Sequence, residues 1–220
     1  MKAANKVVDV ESIESAISRG AEALPVSLDS KQIQQLVALV GLLGKWNQVY
    51  NLTAVRDPHE MVTRHILDSL AVLPYLRGDS LLDVGTGAGL PGLVLAITRP
   101  DLPMTLLDSS DKKLRFVRQA IAELNLEQLS VVQSRMQTYQ PGQAFAMVIS
   151  RAVASLSELY RMTRHLLTND GCFLFMKGQQ PGSELDEFEH SSHVQIESLQ
   201  VPGLDAERHL LILDNNQLTD

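Results

Sequence analysis

One twelve-residue stretch limits the fold more than any other part of the chain. LLDVGTGAGLPG (81–92) places four glycines in eight positions directly after an apolar run. Glycine lets the backbone take positive φ and lets a ligand come close to the main chain. Such a turn between a buried strand and a helix is typical of nucleotide-binding α/β folds. A tight turn that binds nothing is the alternative, and the number of glycines disfavours it.

The glycine pattern fits two ligands equally well. Gly87 to Gly92 satisfies the G-x-G-x-x-G pattern of dinucleotide sites. Gly85-Thr86-Gly87-Ala88-Gly89 suits the G-x-G-x-G turn that holds S-adenosylmethionine. The pattern alone therefore leaves both ligands open.

Short β-rich runs alternate with helical patterns after residue 79, which predicts a parallel, doubly wound sheet. The last two runs are joined without a convincing helix, so we expect them to pair antiparallel. Seven strands that end this way fit a methyltransferase sheet better than a dinucleotide fold of six parallel strands. The predicted strands are 80–84, 104–108, 129–133, 145–150, 171–176, 194–199 and 209–214.

Two helices are predicted before the glycine turn. Apolar residues recur every three or four positions between Ser27 and Asn51, which indicates an amphipathic helix. Asp57 can cap a second helix that has Pro58 in its first position and runs to about Tyr75. Because 220 residues are too few for two full-sized domains, we expect residues 1–77 to pack on a Rossmann-like core of residues 78–220 as one compact unit.

Composition restricts the partners and the compartment. Nineteen Lys and Arg against 26 Asp and Glu give a formal charge of −7, so a nucleic acid would have to meet a local basic patch. The longest apolar stretch, of nine residues, cannot cross a bilayer, and the first residues lack the apolar core of a secretory signal. We expect a cytoplasmic protein. The single cysteine, Cys172, allows no disulfide and no C-x-x-C pair, so no metal site is expected.

Asp108 and the residues after the third strand are candidates for contacting an adenosine. Asp108 ends an apolar strand 21 residues after Gly87. A carboxylate there can accept hydrogen bonds from a ribose diol, whether the ribose belongs to NAD or to S-adenosylmethionine. Its alternative role is to cap the next helix, which Ser109 or Ser110 could do instead. The stretch 134–137 could contact an adenine edge or be a plain surface loop.

The end of the fourth strand bears on the chemistry. Methylases of exocyclic amines usually carry an N/D-P-P-aromatic tetrad at this place, and this chain has Ser150-Arg151-Ala152 instead. The difference disfavours methylation of an exocyclic amine. Carbon-5 methylation of a pyrimidine needs a cysteine nucleophile, and the neighbours of Cys172 predict a buried, inert thiol. A ring nitrogen such as guanine N7 needs neither a nucleophilic side chain nor an obligatory base, so no catalytic side chain is assigned.

Arg151 and a group of basic residues could bind anions. Arg151 could pair with the carboxylate of a cofactor, steady a phosphate or donate to guanine O6, or it could be a surface arginine. The basic residues could bind RNA phosphates or form a solvated helix face. They are Lys112, Lys113, Arg115 and Arg118, with Arg56, Arg64, Arg135, Arg151 and Lys177 as companions.

In RHILDS (64–69), the spacing of Arg64 and Asp68 predicts an ordinary i,i+4 charge pair on a helix. His65 is a less favoured candidate for a proton carrier, because attack by N7 needs no base.

Five motifs together resemble the small-subunit ribosomal RNA guanine-N7 methyltransferase G family, also called glucose-inhibited division protein B. They are NLTAVRDPHE (51–60), RHILDS (64–69), DVGTGAGLPG (83–92), SRA (150–152) and MKG (176–178). The resemblance extends from about residue 28 to 213. It implies a bacterial enzyme with a class I methyltransferase fold that uses S-adenosylmethionine to methylate N7 of a guanine in the 530 loop of 16S rRNA.

The resemblance also implies site residues. Gly85, Leu90, Met136, Gln137 and Arg151 match the positions at which the family contacts its cofactor. Relatives often have Ala-Glu where this chain has Met136-Gln137, so backbone contacts to adenine are expected here without a carboxylate contact. The full expected cofactor set is Gly85, Thr86, Gly87, Leu90, Asp108, Met136, Gln137 and Arg151, and the expected RNA set is Lys112, Lys113, Arg115, Arg151 and Lys177.

The implied partner is 16S rRNA or a small-subunit particle, bound by a monomer. Two other functions stay open at this point. One is an NAD-dependent oxidoreductase built on the same glycines. The other is an RNA-binding or regulatory module that keeps the nucleotide pocket without catalysis.

Overall fold

The structure is a computed structural model that describes residues 9–151, 154–180 and 182–218. Seven strands form one sheet in the order β3-β2-β1-β4-β5-β7-β6. The first five are parallel, and β7 lies antiparallel between β5 and β6. The predicted sheet with its antiparallel last pair is confirmed. The strands are β1 (Leu81–Val84), β2 (Met104–Asp108), β3 (Leu129–Gln133), β4 (Phe145–Arg151), β5 (Leu167–Lys177), β6 (Gln195–Ser198) and β7 (His209–Asp214).

Helices cover both faces of the sheet. Strands β1 and β2 are almost wholly buried, as expected of parallel strands covered on both sides. One apolar cluster joins α1, α2, α5 and α6 to one face, and a second joins α7 to the other. The helices are α1 (Val10–Ala23), α2 (Ser30–Tyr50), α3 (Pro58–Met61), α4 (Asp68–Leu70), α5 (Gly92–Thr98), α6 (Asp111–Leu124), α7 (Leu156–Thr163) and α8 (Gly182–Asp186).

Helix α1 was not predicted, because its acidic residues stand out in the sequence more than its apolar ones. Asp9 caps it by accepting from the backbone N–H of Ser12, and Ile13 and Ile17 are buried on one face. It packs against α2, and α2 in turn packs on α5 and α6, the helices that lie on the sheet. The loop after α2 thereby reaches the edge of the sheet at which the parallel strands end.

The predicted helix from Pro58 is present but interrupted. Asp57 caps it, accepting from the N–H groups of His59 and Glu60, and Pro58 occupies the first position. A π-helical segment, Val62–Leu67, then separates α3 from α4, and a 3₁₀ turn follows at Leu73–Tyr75. Because a π-helix bonds i to i+5, side chains four apart no longer lie above one another as in an α-helix.

Candidate functional site

A large cavity lies where the order of the strands reverses. From β1 the chain continues to β2 on one side, and β4 pairs with β1 on the other, so a crevice opens beyond the carboxyl ends of these strands. The cavity has a volume of about 620 Å³, within the range of small-molecule sites. All eight residues of the expected cofactor set line it.

The glycine turn presents bare backbone to this cavity. Gly87 has φ +58°, a conformation in which a side chain is strained. The nearest atom that an added Cβ would meet is Nζ of Lys113, at 3.8 Å. A side chain at position 87 would therefore project into the open space of the cavity rather than into the core.

Asp83 braces the turn from beneath. Its Oδ2 accepts from the hydroxyl of Thr86 (2.7 Å) and from the backbone N–H of Gly92 (2.9 Å). Burial raises the pKa of Asp83 to about 6, although both hydrogen bonds favour the carboxylate. Among the residues that the structure describes, Oδ1 has no hydrogen-bond partner. The hydroxyl of Thr86 therefore donates its proton to Asp83 and not to a ligand.

Asp108 lies opposite the glycine turn at the end of β2. Its Oδ2 accepts from the N–H of Gly87, and its Oδ1 accepts from the N–H of Ser110, each at 2.8 Å. The cap of α6 is Ser110, whose hydroxyl accepts from the N–H of Lys113. Each carboxylate oxygen can accept a further hydrogen bond, so Asp108 can still bind a diol.

The residues after β3 form another wall of the cavity. Met136 and Gln137 both line it, with the exposed Arg135 beside them. The side-chain amide of Gln137 donates to the sulfur of Met162. Ser134 and Arg135 line the same wall, so the backbone and several side chains of this stretch can contact a ligand.

Arg151 is held by a buried carboxylate that the sequence assigned to a different partner. Its Nη1 donates to Oδ2 of Asp68 (3.1 Å) and to the backbone oxygen of Arg64 (3.2 Å). The other oxygen of Asp68 accepts from Nε of Arg208 at 2.8 Å. The expected Arg64–Asp68 charge pair is wrong, because the π-helical segment turns Asp68, whose side chain is 3% exposed, toward the sheet.

His65 is buried beside this ion-pair cluster. Its Nδ1 lies 2.9 Å from the backbone oxygen of Arg64, which can only accept, so Nδ1 carries the proton. Its Nε2 then accepts from the hydroxyl of Thr53 at 2.9 Å. Burial, aided by the nearby charge of Arg151, lowers the pKa of His65 to about 4. The ring is therefore neutral at pH 7.

The five residues expected to bind RNA lie in two separate places, on α6 and at the ends of β4 and β5. Lys112, Lys113 and Arg115 lie on α6, but Lys113 lines the large cavity and Arg115 pairs with Asp111 at 2.9 Å. Lys112 lies over the ring of Tyr50.

Arg151 and Lys177 lie at the ends of β4 and β5 and line a second, smaller cavity. Lys177 donates to Glu184 at 2.7 Å and to the backbone oxygen of Ala154. This lysine is therefore committed to internal contacts.

Sequence reasoning missed several lining residues. Leu52 and Thr53 reach the cavity from the loop after α2, and Ser109 and Lys113 reach it from the start of α6. For Leu52 and Thr53 the only signal in the sequence was the NLTA segment itself, whose role depends on packing between distant elements. Lys113 was expected to bind RNA, and Ser109 was considered only as a helix cap.

The described part of the chain gives little support to a cysteine nucleophile or to a metal site. Cys172 is a free, buried thiol, and burial raises its pKa, which keeps it protonated and inert. Within residues 9–151, 154–180 and 182–218, no group of three or more His, Cys, Asp or Glu side chains is arranged to hold a metal ion. The same residues include no helix that is long and apolar enough to span a membrane.

Comparison of folds places the sheet among known methyltransferases. A ribosomal protein L11 methylase from Lactobacillus delbrueckii subsp. bulgaricus superposes with a TM-score of 0.53 and 16% identity, over 67% of this chain and 76% of that one. A predicted O-methyltransferase from Agrobacterium tumefaciens gives 0.51 and 18%, over 67% and 79%. These likenesses show the class I methyltransferase fold.

Comparison of sequences is more specific. A protein named ribosomal RNA small subunit methyltransferase G from Methylobacillus flagellatus is 49% identical over 93% of this chain and 100% of its own length. One of the same name from Psychromonas ingrahamii is 51% identical over 84% and 90%. The family model described as GidB, rRNA small subunit methyltransferase G, matches residues 32–211. The chain therefore belongs to the GidB family of small-subunit rRNA methyltransferases G.

Proposed function

We propose that this protein transfers the methyl group of S-adenosylmethionine to N7 of a guanine in the 530 loop of 16S rRNA. Membership of the GidB family carries the broader statement, S-adenosylmethionine-dependent methylation of small-subunit rRNA. The position on the base and the loop are our inference. The observation that carries the proposal is the meeting of the bare Gly85–Gly87 backbone and the Asp108 carboxylate across one cavity at the strand reversal.

The residues of the large cavity fit S-adenosylmethionine. Asp108 offers two oxygens to the ribose hydroxyls, and the backbone at Gly87 allows close approach. The wall at Met136 and Gln137 suits an adenine edge, while Arg151 offers a guanidinium to an anionic group. When bound, this cofactor supplies a methyl group activated by a sulfonium. The family match favours it over a nicotinamide dinucleotide.

The side chains near the cavity suit attack by a ring nitrogen. N7 of guanine already carries a lone pair, so the protein has to position it and needs no group to remove a proton. His65 has both ring nitrogens engaged in internal hydrogen bonds, and Cys172 lies buried in β5. His65 therefore offers no general base to the substrate, and Cys172 offers no thiol nucleophile.

We also propose that the enzyme acts as a monomer in the cytoplasm, where ribosomal RNA is made and assembled. Local cations on α6 and around Arg151 would meet the RNA, since the net charge of −7 opposes long-range attraction.

The proposal is tested by supplying the enzyme with labelled S-adenosylmethionine and either 16S rRNA or 30S particles from bacteria that lack the enzyme. The RNA is digested and the labelled nucleoside is identified by mass spectrometry. We expect label on N7-methylguanosine from the 530 loop. Label on another atom or another loop would refute the assigned position. Binding of the RNA without transfer of label would favour the non-catalytic module.

A further inference from the structure

A second cavity, of about 240 Å³, lies directly beside the large one. Arg151 lines both cavities. Thr53 in the wall of the first donates to His65 in the wall of the second, so the two spaces share a partition. The volume is below the ~300 Å³ at which sites for whole small molecules begin, which suits a single ring system.

We propose, resting on the proposed function, that this second cavity receives the guanine ring that is methylated, with Arg151 donating to O6 of the base. The donor cavity and the acceptor cavity would then meet at Arg151 and Thr53. Methyl transfer requires this proximity, because the attacking atom must come within a few ångströms of the methyl group.

The contacts of Arg151 leave part of its guanidinium for a ligand. Toward the residues that the structure describes, Arg151 donates through Nη1 alone, to Asp68 and to the oxygen of Arg64. Nε and Nη2 therefore keep their protons for another acceptor. Asp68 is buried and fixes the orientation of the group before any substrate arrives. A fixed donor costs little entropy when it binds.

The edges of the bases explain why such a donor would select guanine. Guanine presents O6 and N7 side by side as two acceptors, whereas adenine presents an amino group beside N7. A guanidinium that donates to O6 leaves the lone pair of N7 free to attack. The same guanidinium would face the donor protons of an adenine amino group without an acceptor.

Two polar side chains in the other walls, Asp68 and His65, do not compete for that edge of the base. Both oxygens of Asp68 are occupied by Arg151 and Arg208, so the carboxylate does not face O6 unpaired. Both nitrogens of His65 are engaged with internal partners. Val55 and Met176 supply apolar surface for the faces of a flat ring. The second cavity thus combines apolar walls with four basic side chains, Arg64, Arg151, Lys177 and Arg208, and of these only Arg151 also lines the large cavity.

The first test fills the second cavity and leaves the large one open. Val55→Phe adds a ring to its wall, and Val49→Phe makes the same change at an exposed position on α2, where the side chain is 71% exposed. We expect Val55→Phe to lower kcat/KM for 30S particles by at least about 100-fold, since small displacements cost about that much, while Kd for S-adenosylmethionine stays within about twofold. Val49→Phe should match the wild type. Normal transfer by a folded Val55→Phe enzyme would overturn the proposal.

The second test changes the RNA and uses the wild-type enzyme, so it does not depend on the folding of a variant. A synthetic RNA carries inosine, which keeps O6 and N7, or 2,6-diaminopurine, which replaces O6 by an amino group, at the target position. We expect inosine to be methylated at a rate close to that of guanine, and 2,6-diaminopurine to react at least about tenfold more slowly. Equal rates for the two analogues would overturn the role of Arg151.

The wild-type control separates this proposal from the proposed function. If wild-type enzyme places the methyl group on an atom other than N7, the proposed function fails, whatever the variants do. If the label is on N7 but Val55→Phe and both analogues behave normally, only the second cavity is wrongly assigned.

Discussion

Gly87 donates its backbone N–H to Oδ2 of Asp108 across 2.8 Å, which ties the turn after β1 to the end of β2. The two elements that would hold the cofactor are therefore joined before it binds. The second oxygen of Asp108 is held in the same way by Ser110. The carboxylate thus has a fixed orientation, with acceptor capacity left for a ribose diol.

Asp108→Asn is expected to weaken binding of S-adenosylmethionine by at least about tenfold, because hydrogen bonds to a charged group contribute about 1.5–3 kcal/mol each. Calorimetric titration measures the change in Kd. Asp111→Asn is the matched control, since Asp111 begins α6 nearby and does not line the cavity. Equal affinities of the Asp108→Asn and Asp111→Asn enzymes would remove the assigned role of Asp108.

Asp68→Asn is expected to lower the free energy of unfolding by about 3 kcal/mol, because two guanidinium groups lose their buried partner. Urea denaturation provides the measurement. Asp214→Asn breaks the more exposed ion pair with Arg77 and should cost less than about 1 kcal/mol. If both variants lose the same small amount, the Asp68 cluster contributes no more than a surface pair.

His65→Gln is expected to change how stability depends on pH. The pKa of His65 is about 4 in the fold and about 6.5 in the unfolded chain, so the unfolded state binds the extra proton between these values. The free energy of unfolding of the wild type should therefore fall by about 3 kcal/mol relative to that of His65→Gln as pH falls from 7 to 4. Above pH 7 the difference between the two proteins should not change with pH. Denaturation at several pH values checks this. Parallel curves would mean that His65 titrates normally in the folded protein.

Gly92→Ala and Gly44→Ala should change the stability of the folded protein in opposite directions. An added Cβ at Gly92 would collide with Leu106 and lie 2.8 Å from Oδ2 of Asp83, so we expect a loss of at least about 2 kcal/mol. Gly44 lies in α2 with nothing near its added Cβ, so alanine should stabilise the protein by about 0.5–1 kcal/mol. Thermal melting of both variants measures these changes. A stabilised Gly92→Ala protein would show that the turn can move away from Leu106 and Asp83.

The sheet could be predicted from local pattern, and so could the meeting of most expected cofactor residues at one edge of it, whereas Leu90 was implied by the family resemblance alone. Short apolar runs that alternate with helical segments indicate parallel strands, and the carboxyl ends of such strands meet at one edge. Gly87, Asp108 and Gln137 lie at or just after the ends of three different strands, and the structure brings all three to one cavity. Only the lengths differ: β5 begins at Leu167, four residues before the predicted start.

The missed features depend on contacts between distant parts of the chain. Thr53 reaches the cavity because α2 packs on α5 and α6, and nothing within its own loop indicates that position. Asp68 joins Arg151 and Arg208 because a π-helical turn shifts it away from Arg64, and the local spacing favoured an ordinary α-helical pair. Local spacing cannot report which distant arginines a buried carboxylate will meet.

The most direct measurement is a crystal structure of the protein with S-adenosylhomocysteine, the product that the methyl transfer leaves behind. We predict that its ribose hydroxyls lie within hydrogen-bond distance of Asp108 and that its adenosyl part rests against the backbone at Gly85 and Gly87. A nucleoside bound elsewhere on the protein, or bound here with its ribose turned away from Asp108, would contradict the assigned site.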